Sequence, residues 1–241
     1  MTKRPTDALR TVRITPDYTD APLASVLIES GQTRVLCTAS HEDKVPSFRK
    51  DSGGGWLTAE YSMLPGATPQ RTRRGVSRGK LDGRSTEIQR LVGRSLRAAF
   101  DLDALGPRSL WIDCDVLQAD GGTRTAAITG GYVAARVAVE RLIARGAVAR
   151  TALKPAVAAV SVGIVGGVPH LDLDYPLDSS ADVDMNVVMT SDGRFIEIQG
   201  TGERTTFSRD ELGDLLQLAE KGIDELFACQ NAAIAAAIKR S

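Results

Sequence analysis

The chain has 241 residues, 42% hydrophobic and 25% charged, with 30 Lys plus Arg against 30 Asp plus Glu. That length suits one large domain or two small ones sharing a core. The zero net charge excludes a globally basic polyanion binder, so any nucleic-acid contact needs basic residues concentrated locally.

The first sixteen residues, MTKRPTDALRTVRITP, hold no apolar run of signal-peptide length. No segment approaches the roughly 18 apolar residues of a membrane span. The chain is therefore expected to be cytoplasmic, with no membrane partner. Cys37, Cys114 and Cys229 are widely spaced among apolar neighbours and form no CxxC or zinc pattern, which predicts buried, reduced thiols.

In chain order, Ser25 to Ser30 and Thr33 to Ala39 are β-rich runs flanking Gly31-Gln32, a hairpin signal. Leu57 to Met63 reads as a further strand after Gly53-Gly54-Gly55, and residues 64–83 as a mobile loop. From Ser85 the period becomes helical, with Ile88, Leu91, Val92, Leu96 and Ala99 on one face. Leu110 to Leu117 is a strand with Ile112, Cys114 and Val116 on one side. After the sharp turn Asp120-Gly121-Gly122, a small-residue helix runs from about Thr125 to Arg145 and closes at Gly146. Gly130 and Gly131 inside it each cost about 1 kcal/mol relative to Ala, which implies a close approach by another segment, or else a kink.

The second half repeats the theme. Val157 to Val165 pairs with His170 to Tyr175 around Gly166-Gly167, and Asp184 to Thr190 with Arg194 to Gln199 around Asp192-Gly193. A capping box, Ser208 with Glu211, opens one helix, and a last helix runs from about Gly222 to Ile238. The sum is an α+β arrangement with a weak internal duplication. Its halves are residues 1–150 and 151–241.

Three local signals carry chemistry. Gly121-Gly122-Thr123-Arg124-Thr125, between strand and helix, combines exposed backbone N–H groups, a helix start, a hydroxyl and a guanidinium, which suits an anion. The plainer alternative is a turn in which Thr123 caps the helix. Between Arg71 and Arg84 the basic residues Arg71, Arg73, Arg74, Arg78, Lys80 and Arg84 face only Asp82, a local excess that attracts a polyanion. Arg84 differs from the loop arginines because a helix start holds it. Asp178, Asp182 and Asp184 crowd one segment, as a metal site or a raised carboxyl pKa requires, or as turns and caps alone would explain. Asp172 and Asp174 alternate with Leu171, Leu173 and Tyr175 and read as the polar face of a strand. His41 and His170 have no triad or metal partner, and no P-loop or GxSxG elbow is present.

Gly83-Arg84-Ser-Thr-Glu-Ile-Gln-Arg90, Asp113 through Thr125, Asp184-Met-Asn-Val-Val-Met189 and Gly55-Trp-Leu-Thr-Ala-Glu-Tyr61 together resemble the ribonuclease PH family of bacteria, from about residue 9 to the C-terminus. The resemblance implies two βαβ-type halves with mixed sheets packed on helices. It implies an enzyme that trims the 3′ end of precursor tRNA, and other RNA, with inorganic phosphate as co-substrate, releasing nucleoside diphosphates. It implies a homohexamer built as a trimer of dimers. Arg84 matches the family's phosphate-binding arginine, and Gly122, Thr123 and Arg124 its phosphate-binding Gly-Thr-Arg. Asp178 and Asp184 match its active-site acids, and Arg71, Arg73, Arg74 and Arg78 fall in its RNA-guiding loop.

On that footing Asp178 is the first choice for a general acid, with Asp184 beside it. Alternatively both hold Mg²⁺. Two rivals stand beside this reading. One is a non-catalytic RNA-binding ring subunit of the same fold, against which the joint presence of these residues speaks. The other is a small-molecule phosphotransferase, which would leave the arginine loop unexplained.

Overall fold

In the computed structural model, which describes residues 4–73 and 83–239, two sheets and three long helices interleave. The first sheet holds β1 (Val12–Pro16), β2 (Ala24–Ser30), β3 (Thr33–Glu42), β4 (Trp56–Met63) and β5 (Ser109–Gln118), in the order β1-β2-β3-β5-β4. Its pairs are antiparallel except β4 with β5, which run parallel. A parallel pair needs a crossover. It is made by α1 (Gly83–Arg97) and the single turn α2 (Leu102–Leu105).

The helix α3 (Thr123–Ala144) then passes between this sheet and a second one. The second sheet is antiparallel throughout, in the order β7-β6-β8-β9, with β6 at Val157–Val165, β7 at Val168–Leu171, β8 at Val183–Thr190 and β9 at Phe195–Gly202. A short helix, α4 (Tyr175–Ser180), links β7 to β8, and α5 (Arg209–Ile238) covers the far face of the second sheet. Mixed pairing and the βαβ unit are thus confined to the first half.

The periodicities placed most elements. Ile112, Cys114 and Val116 are buried on one side of β5, and the Gly31 turn sets the β2–β3 register. The capping box at Ser208 is present in both directions. Two expected elements differ. The helices expected on either side of Gly222 form one continuous α5, because no proline interrupts them and Gly222 gives Leu171 a seat: a Cβ there would lie 2.7 Å from Leu171 Cδ1. The strand expected from His170 to Tyr175 stops at Leu171, because Asp172 turns the chain with φ 55° and Asp174 caps α4 by accepting from the Leu177 N–H. Asp172 and Asp174 are therefore not the polar face of a strand. Cys37 and Cys114 face each other, buried, across β3 and β5, whereas Cys229 on α5 is only half-buried, because its helix turns that side toward solvent.

Most of α3 is buried on every side, since sheets pack on both flanks. Gly130 makes that possible: a Cβ there would sit 2.6 Å from Ile28 Cγ2 and 3.0 Å from Cys37 Sγ. At Gly131 the nearest atoms, on Ile112 and Leu96, are 3.4 Å away. The close approach expected at this pair is thus made by sheet side chains, at Gly130 alone.

The two glycines should part company on substitution. Helix propensity favours Ala by about 1 kcal/mol at either position, but overpacking at Gly130 costs about 1–3 kcal/mol. Gly130→Ala should lower unfolding stability by about 1 kcal/mol and Gly131→Ala should not, as read from urea denaturation midpoints.

Candidate active site

The turn before α3 is where the two halves meet. Gly121 and Gly122 both take positive φ, 72° and 64°, which any side chain would strain. Gly121 also has no room for one: a Cβ would lie 2.6 Å from the Leu173 carbonyl oxygen and 2.9 Å from the Tyr175 nitrogen. Thr33 Oγ1 donates to the Gly121 carbonyl at 2.7 Å and accepts from the Asp120 N–H at 2.9 Å. Arg10 Nη1 donates to the Asp120 carbonyl at 2.5 Å. The turn is thereby fixed from both sides before α3 begins.

No side chain caps that helix start. Thr123, offered above as a possible cap, instead places its Oγ1 2.8 Å from the Tyr61 hydroxyl, a buried contact. The first-turn N–H groups and their partial positive charge stay available to an anion. Arg124, in that turn, donates from Nη1 to Gln199 Oε1 at 2.8 Å and lies 3.6 Å from Glu87 Oε1, while Gln199 Nε2 donates to Glu87 at 2.9 Å. This triangle joins α3, β9 and α1 and holds the guanidinium in one place.

A cavity of about 1360 Å³ opens over this turn. Its wall gathers Arg84, Gly122, Thr123, Arg124, Asp178 and Asp184, along with Arg71 and Arg73 from the preceding segment. Arg84 comes from the start of α1, Asp178 from α4 and Asp184 from β8. Asp182 does not join them, since its carboxylate accepts from the Gly166 N–H at 2.8 Å and fixes the β6–β7 turn. Arg74 and Arg78 lie outside the described residues. His41 and His170 are not on the wall.

The two acids are electrostatically strained. Burial raises the Asp178 carboxyl above its ordinary value, offset by Arg84 and Arg124 and reinforced by Glu203. Asp184 is pushed up to about 6, first by burial and then by the charge of Asp178, with Arg124 and Arg84 opposing. Burial also raises Tyr61, against its bond to Thr123 and the nearby Arg84 and Arg124. A pair of cations thus faces a pair of reluctant carboxylates, an arrangement able to hold an anion near a proton donor.

Sequence reasoning missed Tyr61, Glu87, Gln199 and the pair Arg10–Asp172. Tyr61 and Glu87 lie inside the motifs quoted above, yet their spacing carries no signal of function. Gln199 reaches Arg124 only through the β8–β9 pairing, and Asp172 was hidden by its alternation with Leu171 and Leu173.

The sequence profile of the 3′ exoribonuclease family, domain 1, matches residues 8–138, and that of domain 2 matches residues 156–222. The Ribonuclease PH of Syntrophomonas wolfei is 60% identical over 227 residues, covering 94% of this chain and 95% of that protein. The Ribonuclease PH of Corynebacterium diphtheriae is 61% identical over 231 residues, covering 96% and 95%. Among solved structures, a chain of the Archaeoglobus fulgidus exosome with RNA bound to the active site matches with TM-score 0.74 at 21% identity, covering 99% of this chain and 91% of that one. A chain of an archaeal exosome core matches with TM-score 0.73 at 19% identity, covering 94% and 89%. No helix among the described residues is long and apolar enough to cross a membrane.

The raised carboxyl of Asp184 has a consequence for stability. Its folded value of about 6 exceeds its ordinary 3.8, so the unfolded state releases this proton more readily. The penalty is absent below about pH 4 and fully present once the pH has passed above about 6. Asp184→Asn should therefore raise the thermal midpoint at pH 8 and leave it unchanged near pH 4, as differential scanning calorimetry at the two pH values would show.

Proposed function

This chain belongs to the ribonuclease PH family of 3′ exoribonucleases, and on that premise we propose that its cavity holds inorganic phosphate against the last internucleotide bond of an RNA. The chain is a phosphorolytic 3′→5′ exoribonuclease, a nucleotidyltransferase-type enzyme. The single observation that carries the assignment of the site is the convergence in one cavity of Arg84, Arg124 and the uncapped start of α3 on the raised pair Asp178 and Asp184.

Both reactants are anions, so their repulsion is the first barrier. Arg84, Arg124 and the first-turn N–H groups offset it and orient the phosphate for in-line attack. The Thr123 hydroxyl and the Gly122 backbone complete the seat. A phosphate oxygen forms the new bond to the phosphorus of the terminal phosphodiester. The bond from that phosphorus to the 3′-oxygen of the penultimate nucleotide breaks. The terminal nucleotide leaves as a nucleoside diphosphate, and the 3′-oxygen takes a proton. An alkoxide leaves poorly, so the proton must be close by. Asp178 and Asp184 share that task as a coupled pair. Burial favours Asp184 as the member that carries the proton.

The same pair suits Mg²⁺. Two partly desolvated carboxylates that repel each other are hard oxygen donors whose strain a cation relieves. Mg²⁺ commonly takes one or two protein carboxylates, with water and substrate phosphate completing its shell. Among the described residues no third acidic, histidine or cysteine side chain completes a larger ligand set. Bound there, the ion would stabilise negative charge on the reacting phosphates.

Arg71 and Arg73, exposed on the cavity wall, continue the positive charge outward and would guide the RNA backbone, together with Arg74 and Arg78. The substrate is RNA, chiefly the 3′ end of precursor tRNA, and the chain works in the cytoplasm as a homohexamer, a trimer of dimers. Residues 1–150 supply the phosphate seat and residues 151–241 the acids. Retention of both cations and both acids in one cavity disfavours the non-catalytic ring subunit.

Turnover of a tailed RNA should require inorganic phosphate and yield nucleoside diphosphates; monophosphates formed without phosphate would overturn the reading, and thin-layer or mass analysis of products decides. Asp178→Asn and Asp184→Asn should each cut kcat by about 10²–10⁴-fold while RNA affinity holds. Replacing Arg71 and Arg73 by Ala should flatten the salt dependence of RNA affinity by nearly one unit of log–log slope for each RNA phosphate left without its cation.

A further inference from the structure

The face of the second sheet that meets α3 changes character along its length. Val188 on β8 is buried against α3, and Thr129 of that helix exchanges hydrogen bonds with the Ala159 backbone of β6. Two residues nearer the cavity on each strand the face turns polar. Ser161, Asn186 and Gln199 stand side by side in register across β6, β8 and β9, and Asp184 follows on β8. Alternation puts all four on the same face.

Three of the four have assigned work. Ser161 Oγ accepts from the Leu173 N–H at 3.0 Å. Gln199 is bound at both ends of its amide, to Arg124 and Glu87. Asp184 belongs to the acidic pair. Asn186 is different: it is 8% exposed, lines the cavity, and its amide finds no hydrogen-bond partner among the described residues.

Its amide is not among the water-shielded polar atoms that lack a partner, so what remains exposed of it opens onto the cavity, with two donors and one acceptor that the protein leaves uncommitted. A strand that holds an amide nearly immobile at the cavity wall, with its polar atoms free, offers a ready-made hydrogen-bonding position to a ligand there. The ligand must suit its position. Gln199, its neighbour in register, holds Arg124, so Asn186 stands beside the cationic end of the cavity. It also lies two residues along the strand from Asp184. An anion with oxygens to accept the NH₂, and one hydroxyl to donate to the carbonyl oxygen, satisfies every atom. Monohydrogen phosphate has both.

We propose that the Asn186 side chain is a further binding residue for the attacking inorganic phosphate, fixing its orientation from the second sheet beside Arg124. This rests on the phosphorolytic reading above, and it adds a residue from the C-terminal half to a seat otherwise built from the N-terminal half.

Steady-state kinetics with phosphate and RNA varied separately test it, alongside thermal midpoints with and without phosphate. In Asn186→Ala the KM for phosphate should rise about 10- to 100-fold, the range for a hydrogen bond to a charged group, with the KM for RNA within about two-fold. The thermal midpoint without phosphate should hold or rise, and the increase that phosphate gives the unsubstituted enzyme should shrink. Asn186→Asp, equal in size but anionic, should lose phosphate use further. A phosphate KM within two-fold overturns the proposal. So does a rise confined to RNA, which would put the amide on the nucleotide, or a fall in the phosphate-free midpoint with both constants worsening together, which would make Asn186 structural. If the unsubstituted enzyme degrades RNA without phosphate, the phosphorolytic reading fails first, and that is seen before any variant is measured.

Discussion

Asp172 is the residue on which the placement of the site depends. Its carboxylate accepts from the Arg10 backbone N–H at 2.9 Å and from Arg10 Nε and Nη2 at 3.0 and 2.7 Å, all buried. Ser30 Oγ donates to it at 3.3 Å. Through Arg10 it reaches the Asp120 carbonyl, and so the turn that opens α3. Through its own backbone it donates to the Ser161 carbonyl at 2.7 Å and accepts from Arg4 Nη2 at 2.9 Å. One residue therefore links the N-terminal segment, the turn that opens α3 and the approach to α4. A buried ion pair of this kind contributes little net stability over an apolar replacement, while losing one partner costs about 3–5 kcal/mol. Its value here is registry: it sets where Arg124 stands relative to Asp178.

The backbone at Asp172 shows the same constraint. It takes φ 55°, unusual for a residue with a side chain. Continuing β7 would instead have carried Asp174 and Tyr175 along the sheet. The turn sends them over Gly121, and Asp174 then caps α4, with Asp178 one turn later. Gly121 accepts that approach only because it has no side chain. A strained residue in the C-terminal half and a glycine in the N-terminal half are thus two sides of one contact.

These features explain what the sequence disclosed. Elements with a strong period or a capping signature, such as the buried alternation of β5 and the box at Ser208, were legible because local energetics decide them. The turn before α3 was legible because Gly121-Gly122 between a strand and a helix marks a sharp reversal. Asp172 was misread because its apolar neighbours alternate as a strand would, and only the distant Arg10 reveals its burial. The single helix α5 was read as two because Gly222 weighs against helix locally, while its packing against Leu171 is tertiary. Gln199 and Asn186 were invisible for the same reason: their positions follow from strand register, which no short motif encodes.

The site combines two opposite electrostatic debts. The cations are held by groups of modest charge, with Arg124 spread over the neutral Gln199 and the half-exposed Glu87, so most of their field stays directed at the cavity. Had Arg124 closed directly on Asp178 or Asp184, its charge would have pulled that carboxyl down, against the effect of burial. Instead both acids stay raised, because burial outweighs the nearby guanidinium groups. On the proposed reading, an incoming phosphate dianion would add negative charge beside them and raise them further, so that more of the pair would hold a proton when the leaving oxygen needs one. The fold keeps cation and acid apart through Glu87 and Gln199, and those two side chains come from different halves of the chain.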